Sequence, residues 1–395
     1  MKIFINATTC VVGGGAQVAA SFIGQAMDDN RHQFVAAVSK KVREYLGNMA
    51  DTTCIYELAS SPARPFKGMK SRRFLKDLEL KFKPDVVFTI FGPAYHNFRA
   101  PHACGIADPW VTHPSSLATS RLGVFGRLKM KLQCLYKKWR LSINDFYWTE
   151  TEVARQGLID LIGLDADKIL TIPNCYSPLF DSFNSAEESH NSLVKIFTLS
   201  ATYPHKNLMI IPEMASILYK RGLQDSFKFV VTLPENGFGV NEFWKLAKKL
   251  GVCDLIENIG HIPLESCPLW YSKTDILFLP TLLETFSVTF LEAMKMSRPI
   301  VTTNLDFARD ICGDAAEYFE PLDAESAVDA IITVGKKTER YNELVLNGIN
   351  QLKQFPNPAE KYNKHIQWLE KVVMESTKLR PLFKEAMEND ELSNF

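Results

Sequence analysis

Glu284 and Glu292 stand eight positions apart in DILFLPTLLETFSVTFLEAMKMSRPIV, residues 275–301. The apolar run 276–279, closed by Asp275 and Pro280, suits a buried parallel strand. A turn over 281–284 leads to a helical segment, 287–296, and a second strand opens at Pro299. One carboxylate is thus expected at the mouth of a loop and the other inside the helix. In a parallel sheet, ligands bind outside the carboxyl ends of the strands, where the following helix aims its free N–H groups and positive dipole end. Eight helical residues span roughly 12 Å, enough to hold both ends of one elongated ligand such as a sugar joined to a ribose through phosphates. A local reading competes: Thr289-x-x-Glu292 matches a capping box, and Glu284 suits an ordinary surface position.

Other residues fall at comparable strand ends. SATYPHKNL, residues 200–208, follows the first strand of the second half and carries His205 and Lys206. A lysine there can neutralise a departing phosphate as a point charge, whereas a merely solvated lysine is poorly placed at a helix start. Gly13-Gly14-Gly15 follows a strand at 2–6 and precedes a helix at 17–27, a place where backbone can approach phosphate or sugar; a tight turn alone also explains it. The dinucleotide fingerprint is incomplete. Val18 occupies the third glycine position, and Ser39-Lys40-Lys41 replaces the acidic end of the second strand, which argues against NAD. His102 lies in RAPHACGIADPW, read as a loop after the strand 85–91, with His96 and His113 as competitors. Asp165-Ala166-Asp167 falls between a helix end and a strand start and reads as a turn rather than a metal site. No metal ion and no cofactor is expected.

These residues need a scaffold, and the chain supplies two βα series. Strands at 2–6, 33–39, 52–58, 85–91, 146–149 and 168–172 alternate with helices at 17–27, 69–82 and 150–162. After a polar stretch at 176–192, read as a linker, strands follow at 194–199, 228–233, 254–259, 275–279 and 300–303, with helices at 324–332 and 358–373. The rhythm predicts an α/β protein with two Rossmann-like domains facing across a cleft, the first over 1–180 and the second over 190–357. The tail after Ser376 reads as peripheral.

The 395 residues suit two domains, and the balanced charge, 45 basic against 45 acidic side chains, gives no global attraction to nucleic acid. Eight scattered cysteines without a CxxC pair suit a reducing compartment. With no signal-like N-terminus and no apolar run near the roughly 20 residues of a membrane span, a cytoplasmic protein is expected. One segment stands out. Residues 121–140 hold seven basic and no acidic side chains, while Phe125, Leu128, Leu132, Leu135, Tyr136 and Trp139 share one helical face. Such a helix suits peripheral contact with an anionic membrane, and equally an ordinary packed helix with a basic outer side.

Taken together, Gly14-Gly15, Ile172–Asn174 (IPN), PHKN at 204–207, ETFSVTFLEAM at 284–294, RDICGDAAEYFEPLD at 309–323 and the terminal YNKHIQWLEKVV resemble the family-4 retaining glycosyltransferases of the GT-B fold. The resemblance implies that Glu284 contacts a donor sugar, that Glu292 holds the nucleotide ribose, and that Lys206 with the N–H groups near Ser287 and Val288 holds the diphosphate. It places Gly14 and Gly15 near the pyrophosphate and acceptor, and returns the final helix, within 358–395, to the first domain. It also implies a nucleotide-sugar donor, transfer with retention, and a saccharide or lipid-linked saccharide acceptor in bacterial surface polysaccharide synthesis. Departures are visible: the family's arginine several residues before the lysine is missing here, where that stretch has Ser200, so His205 or a more distant cation must assist; Asp310 replaces a common glutamate, and Ser297-Arg298 a glycine. A sugar-nucleotide epimerase and a non-catalytic binding protein of the same fold are the rival readings.

Overall fold

The computed structural model describes every residue except 12, 48, 50–52, 184–192, 336–337 and 393–395, and for 378–392 only the backbone. The chain divides into two compact units. Residues 1–107, 133–173 and 357–395 form the first, and residues 108–132 with 174–356 form the second.

In chain order the first half contains β1 (Lys2–Ala7), α1 (Gly13–Asp28), β2 (Gln33–Ser39), α2 (Lys40–Leu46), β3 (Ile55–Leu58), α3 (Met69–Phe82), β4 (Val86–Thr89) and β5 (His102–Gly105). Two short helices of the second unit follow, α4 (Pro109–Thr112) and α5 (Ser116–Ser120). Then come α6 (Val124–Leu141), β6 (Phe146–Thr149), α7 (Glu152–Ile162) and β7 (Ile169–Thr171). The seven strands are parallel in the order β3-β2-β1-β4-β5-β6-β7. The near-continuous apolar runs of β1 and β4 follow from burial on both faces. α7 shows how sequence sets a helix's limits: Thr151 accepts the Ala154 N–H at its start, and Gly163, at φ 75°, ends it.

The second half contains β8 (Val194–Thr198), α8 (Ile210–Lys220), β9 (Phe227–Val231), α9 (Val240–Leu250), β10 (Ile256–Asn258), α10 (Cys267–Ser272), β11 (Ile276–Leu279), α11 (Val288–Lys295), β12 (Ile300–Thr303), α12 (Asp306–Cys312), β13 (Ala316–Phe319), α13 (Ala324–Val334) and α14 (Glu339–Leu352). Its parallel sheet runs β10-β9-β8-β11-β12-β13, so the strand order reverses between β8 and β11. Side chains alternate across this sheet. Ile196, Phe229, Val231, Ile276 and Phe278 pack with α8, α9 and α13, whereas Phe197, Val230, Leu277 and Leu279 pack with α10, α11 and α12.

The last helix, α15 (Pro358–Leu392), belongs to the first unit. Its Tyr362, Ile366, Leu369 and Val372 join Phe22, Phe88 and Trp148 in that unit's core. The helical backbone continues past Ser376 into the tail read as peripheral.

Several expectations require correction. A first domain over 1–180 is too simple, because 108–132 and 174–180 cluster with the second unit; Leu282 and Leu283 pack on Ala118, and Phe180 is buried in the second core. The segment 102–105, read as loop, is the buried strand β5, which gains its ladder from β4 and β6 although HACG has little strand propensity. β13 went unrecognised as a strand. Gly13 to Gly15 form the first turn of α1 instead of preceding it, and Gly13 makes the entry at φ 51°, a conformation easy only for glycine. Thr52 and most of the expected linker, 184–192, lie outside the described residues; ahead of them Pro178–Phe180 make a 3₁₀ turn. Asp165 caps the 3₁₀ turn Ala166–Lys168 by accepting the Asp167 N–H, so the D-x-D is a turn.

Candidate active site

β8 and β11 are neighbours across the point where the strand order reverses, the crevice in which open α/β sheets bind ligands. The loops leaving their carboxyl ends bring Lys206 and Glu284 together as an ion pair, Nζ to Oε1. Both side chains are largely shielded, 18% and 15% exposed, so the pair is less screened than a surface bridge. Lys206 ends a 3₁₀ turn, Pro204–Lys206, which Asn207 closes at φ 54° ahead of α8. The Glu284 carboxylate therefore supplies the negative charge that a lysine near a helix start lacks locally.

Backbone and ring contacts fix the two loops to each other. The Leu282 N–H donates to the His205 carbonyl at 2.8 Å, and Thr303 Oγ1 donates to the Thr281 carbonyl at 2.6 Å. The His205 ring stacks on Tyr203 at 5.7 Å between centroids and meets Trp110 edge-on at 5.6 Å. Burial, reinforced by the Lys206 charge, holds the His205 imidazole down at about 4, so it is neutral at pH 7. It offers hydrogen bonding there, and no second positive charge.

His113, which sequence reasoning set aside for His102, touches this site. Its Nε2 donates to the Glu284 carbonyl oxygen at 2.7 Å, which leaves Nδ1 to accept from Thr112 Oγ1 at 2.8 Å. Burial lowers its pKa despite the pull of that carbonyl. Beside Glu284, the Thr285 hydroxyl is buried without a partner.

Ser287 precedes the first turn of α11, and Val288 opens it. Helix geometry leaves the first N–H groups of α11 without intrahelical acceptors. Ser287 Oγ does not cap the helix; it pairs with Thr289 Oγ1 at 2.8 Å. The capping box is excluded, because Thr289 lies inside the helix and the Glu292 carboxylate turns away to Tyr271. Glu292 is 3% exposed, and the Tyr271 hydroxyl donates to its Oε2 at 3.1 Å. Burial raises the Glu292 pKa to about 7, an effect that the Tyr271 bond opposes. Tyr271 had no sequence signal beyond its place in an apolar helix.

The remaining candidates lie in the first unit. Gly14 has open space where a side chain would project, and Gly15 would bring one to 3.4 Å from Phe91. His102 is misplaced as a catalytic candidate. It is the first residue of β5, 4% exposed, at the amino end of a parallel strand and hence at the edge opposite the ligand crevice. Its Nε2 pairs with Thr89 Oγ1 at 2.7 Å, and burial holds its pKa at about 3. Among the described residues no three His, Cys, Asp or Glu side chains converge as a metal site. Cys10, Cys104, Cys267 and Cys312 are buried free thiols.

α6 turns its apolar stripe to solvent: Phe125, Leu132 and Trp139 are 89%, 59% and 60% exposed. At about 100° per residue, this stripe lies opposite the side carrying Gly126, Met130 and Leu141, which is the shielded one. Lys129 and Arg140 flank one edge of the stripe, and Arg127, Lys131 and Lys138 the other. Among the described residues no helix is long and apolar enough to cross a membrane.

Comparison with known proteins places this geometry. Residues 182–351 match the family described as glycosyl transferases group 1. O-antigen chain mannosyltransferase B of Escherichia coli is 23% identical over 229 residues, 54% of this chain and 56% of that protein. O-antigen chain mannosyltransferase RfbU of Salmonella typhimurium is 21% identical over 225 residues, 56% of this chain and 59% of that protein. The aligned part of the chain thus spans little more than half the length of these relatives. Among solved structures, Anabaena HepE in complex with UDP and glucose superposes with a TM-score of 0.70 at 14% identity, covering 94% of this chain and 100% of that one. WaaG, a glycosyltransferase involved in lipopolysaccharide biosynthesis, gives 0.67 at 13% identity, covering 92% and 98%. The crevice formed by β8, β11 and α11 therefore lies within the residues that match the glycosyl transferases group 1 family, and the chain that carries it has the GT-B fold.

Proposed function

We propose that this protein transfers a glycosyl group from a nucleotide-sugar donor to a saccharide or lipid-linked saccharide acceptor, with retention of anomeric configuration, in the assembly of a bacterial surface polysaccharide. The Lys206–Glu284 pair at the strand-order reversal carries this reading. Two similar proteins are named as O-antigen chain mannosyltransferases, which makes a hexose the first choice of transferred sugar. The HepE structure with UDP and glucose supports a nucleoside-diphosphate donor.

In this mechanism the bond from the anomeric carbon to the diphosphate oxygen breaks as a bond to the acceptor hydroxyl oxygen forms on the same face. The acceptor proton passes to the departing phosphate oxygen. Negative charge grows on the diphosphate, and Lys206 with the first N–H groups of α11 is arranged in advance to stabilise it. Glu284 orients the sugar through its hydroxyls, and Glu292 accepts from the ribose. The exposed apolar stripe of α6 between basic edges suits peripheral docking on an anionic bilayer, where a lipid-linked acceptor would reside.

The test is calorimetry with a panel of nucleotide sugars, followed by acceptor-dependent release of free nucleotide and NMR assignment of the product anomer. Lys206→Ala is expected to lower kcat by about 10²–10³, and Glu284→Gln to impair transfer as well. Near-normal transfer in both variants would overturn the assignment. Turnover without an acceptor would favour an epimerase.

A further inference from the structure

The two helices that build the Glu292 site are braced to each other by a residue outside it. α11 closes in a Schellman turn: the Arg298 N–H donates to the Ala293 carbonyl at 2.8 Å, and the Ser297 N–H to the Met294 carbonyl at 3.1 Å. Ser297 takes the left-handed conformation, φ 53°, at the position where glycine is usual. From this turn the Arg298 side chain crosses to α10. Its Nε donates to the Tyr271 carbonyl at 2.9 Å and its Nη2 to the Ser272 carbonyl at 3.2 Å, while Nη1 lies 3.5 Å from the Tyr341 hydroxyl of α14.

These are the last two carbonyls of α10, which no N–H inside the helix can reach. A helix of six residues has little stability of its own, so charge-assisted bonds to its end matter. Thr274 Oγ1 adds a 3.4 Å contact to the Tyr271 carbonyl, but its nearer partner is the Trp270 carbonyl at 2.7 Å. The buried Tyr271 ring meets Phe180 and Phe197 edge-on at 5.8 and 5.2 Å. Its hydroxyl then returns to α11, 3.1 Å from Glu292 Oε2 and 3.2 Å from the Thr289 carbonyl. The contacts close a circuit from Glu292 through the end of α11, Arg298, the end of α10 and Tyr271 back to Glu292. Arg298 bonds Tyr271 and not Glu292, so its path to the carboxylate runs through the tyrosine.

We propose that Arg298 is a positioning residue for donor binding: by fixing the end of α10 it holds the Tyr271 hydroxyl against Glu292 and orients that carboxylate for a nucleotide ribose. The ribose rests on the glycosyl-transfer reading, and the bracing on the contacts alone.

The experiment reads Glu292 directly in the full chain, by carbon-13 NMR of glutamate labelled at the side-chain carboxyl and titrated from pH 5 to pH 9. The Glu292 signal is the one lost in Glu292→Gln. The titratable groups that act on it, Tyr271 and Cys267, both stand on α10, and burial raises both, so they stay neutral across that range. Arg298→Ala frees the end of α10 and weakens the Tyr271 bond that favours ionisation. The ionisation constant of Glu292 should fall about three- to tenfold, and less in Arg298→Lys, which keeps the charge and one donor. In a Tyr271→Phe chain neither substitution should lower it further. A charge acting through space needs no hydroxyl, so equal falls with and without Tyr271→Phe, or no fall at all, would overturn the proposal. If Arg298→Ala does not fold, Arg298→Lys with and without Tyr271→Phe decides it by the same comparison.

Calorimetry with UDP-glucose and GDP-mannose runs in parallel. Affinity at pH 7 should weaken about two- to fivefold in Arg298→Ala, as the ionised fraction falls, and return toward the native value by pH 9. Unchanged affinity despite a lowered ionisation constant would also overturn the role in donor binding. A Tyr271-dependent fall without any nucleotide-sugar binding removes the donor reading and leaves the bracing. Nucleotide-sugar binding without that fall does the reverse.

Discussion

His113 Nε2 donates to the Glu284 carbonyl oxygen across 2.7 Å, joining a histidine that begins outside the sheet of the second unit to the loop bearing its central carboxylate. The bond acts on the backbone of Glu284, so His113 is a positioning residue. Because the imidazole is neutral and its Nδ1 is committed to Thr112, it holds one tautomer. His113→Ala leaves the carbonyl unpaired, at about 1–3 kcal/mol. Transfer is expected to fall roughly tenfold per 1.4 kcal/mol of that loss, mainly in kcat. His113→Gln, which restores an N–H donor, should recover part of the loss. Steady-state kinetics decide it, and an unchanged kcat in His113→Ala would remove the role.

Glu292 should give donor binding a pH dependence. Its pKa of about 7 means that the carboxylate able to accept from ribose hydroxyls becomes dominant only above neutrality. Affinity for a nucleotide sugar should therefore rise from pH 6 to pH 8. Tyr271→Phe removes the hydrogen bond that favours ionisation, so the midpoint should move upward. Stability runs the other way. The raised folded pKa means the folded state binds more protons between the ordinary carboxylate value, about 4.5, and about 7, so this group's contribution is lost as pH rises through that window. Glu292→Gln should remove that loss. Calorimetry and melting temperatures at pH 5, 6 and 8 would reveal both effects, and pH-independent binding in native and Tyr271→Phe chains would contradict the first.

His102 should behave as a structural residue. Burial keeps it neutral with a pKa near 3, whereas an unfolded histidine titrates near 6.5. Between those values the unfolded chain binds more protons, so His102 contributes stability above pH 6.5 that is lost as pH falls toward 3. In His102→Leu the difference in melting temperature between pH 7.5 and pH 5 should narrow. Transfer at pH 7.5 should persist, because the residue sits at the amino edge of the sheet. Loss of transfer in a variant that melts normally would return His102 to the catalytic list.

The contrast between His102 and His113 marks how far residues alone could lead. Strands with dense apolar runs, such as Ile276–Leu279, were legible because burial on both faces leaves a sequence trace. β5 was not: His, Ala, Cys and Gly gain their pairing from β4 and β6, which no local pattern announces. Lys206 and Glu284 were legible as strand-end charges, since each follows a recognisable strand. Tyr271 and His113 reach the site through contacts spanning 21 and 171 positions, and side chains meeting over such separations leave no spacing to read. The capping-box pattern failed for a related reason. Its two residues fit a motif, but α11 starts one residue before Thr289, so neither holds the position that the motif requires.

α6 supplies the last prediction. Its stripe of Phe125, Leu128, Leu132, Leu135, Tyr136 and Trp139 is exposed throughout, and the basic side chains stand at its edges. Burying such side chains in the interfacial region of a bilayer favours binding by about 25 cal/mol per Å² of apolar area, and each cation near an anionic surface adds about 1 kcal/mol. The chain should therefore bind vesicles rich in phosphatidylglycerol and bind phosphatidylcholine vesicles weakly. Neutralising two exposed lysines, Lys129→Gln with Lys131→Gln, should weaken binding about 30-fold at low salt, the equivalent of about 2 kcal/mol. Leu132→Ser with Trp139→Ser should weaken binding at every salt concentration, because apolar transfer is not screened. Vesicle sedimentation at two ionic strengths separates the contributions. Equal binding to both vesicle types, or binding untouched by either pair, would leave the stripe without a membrane role.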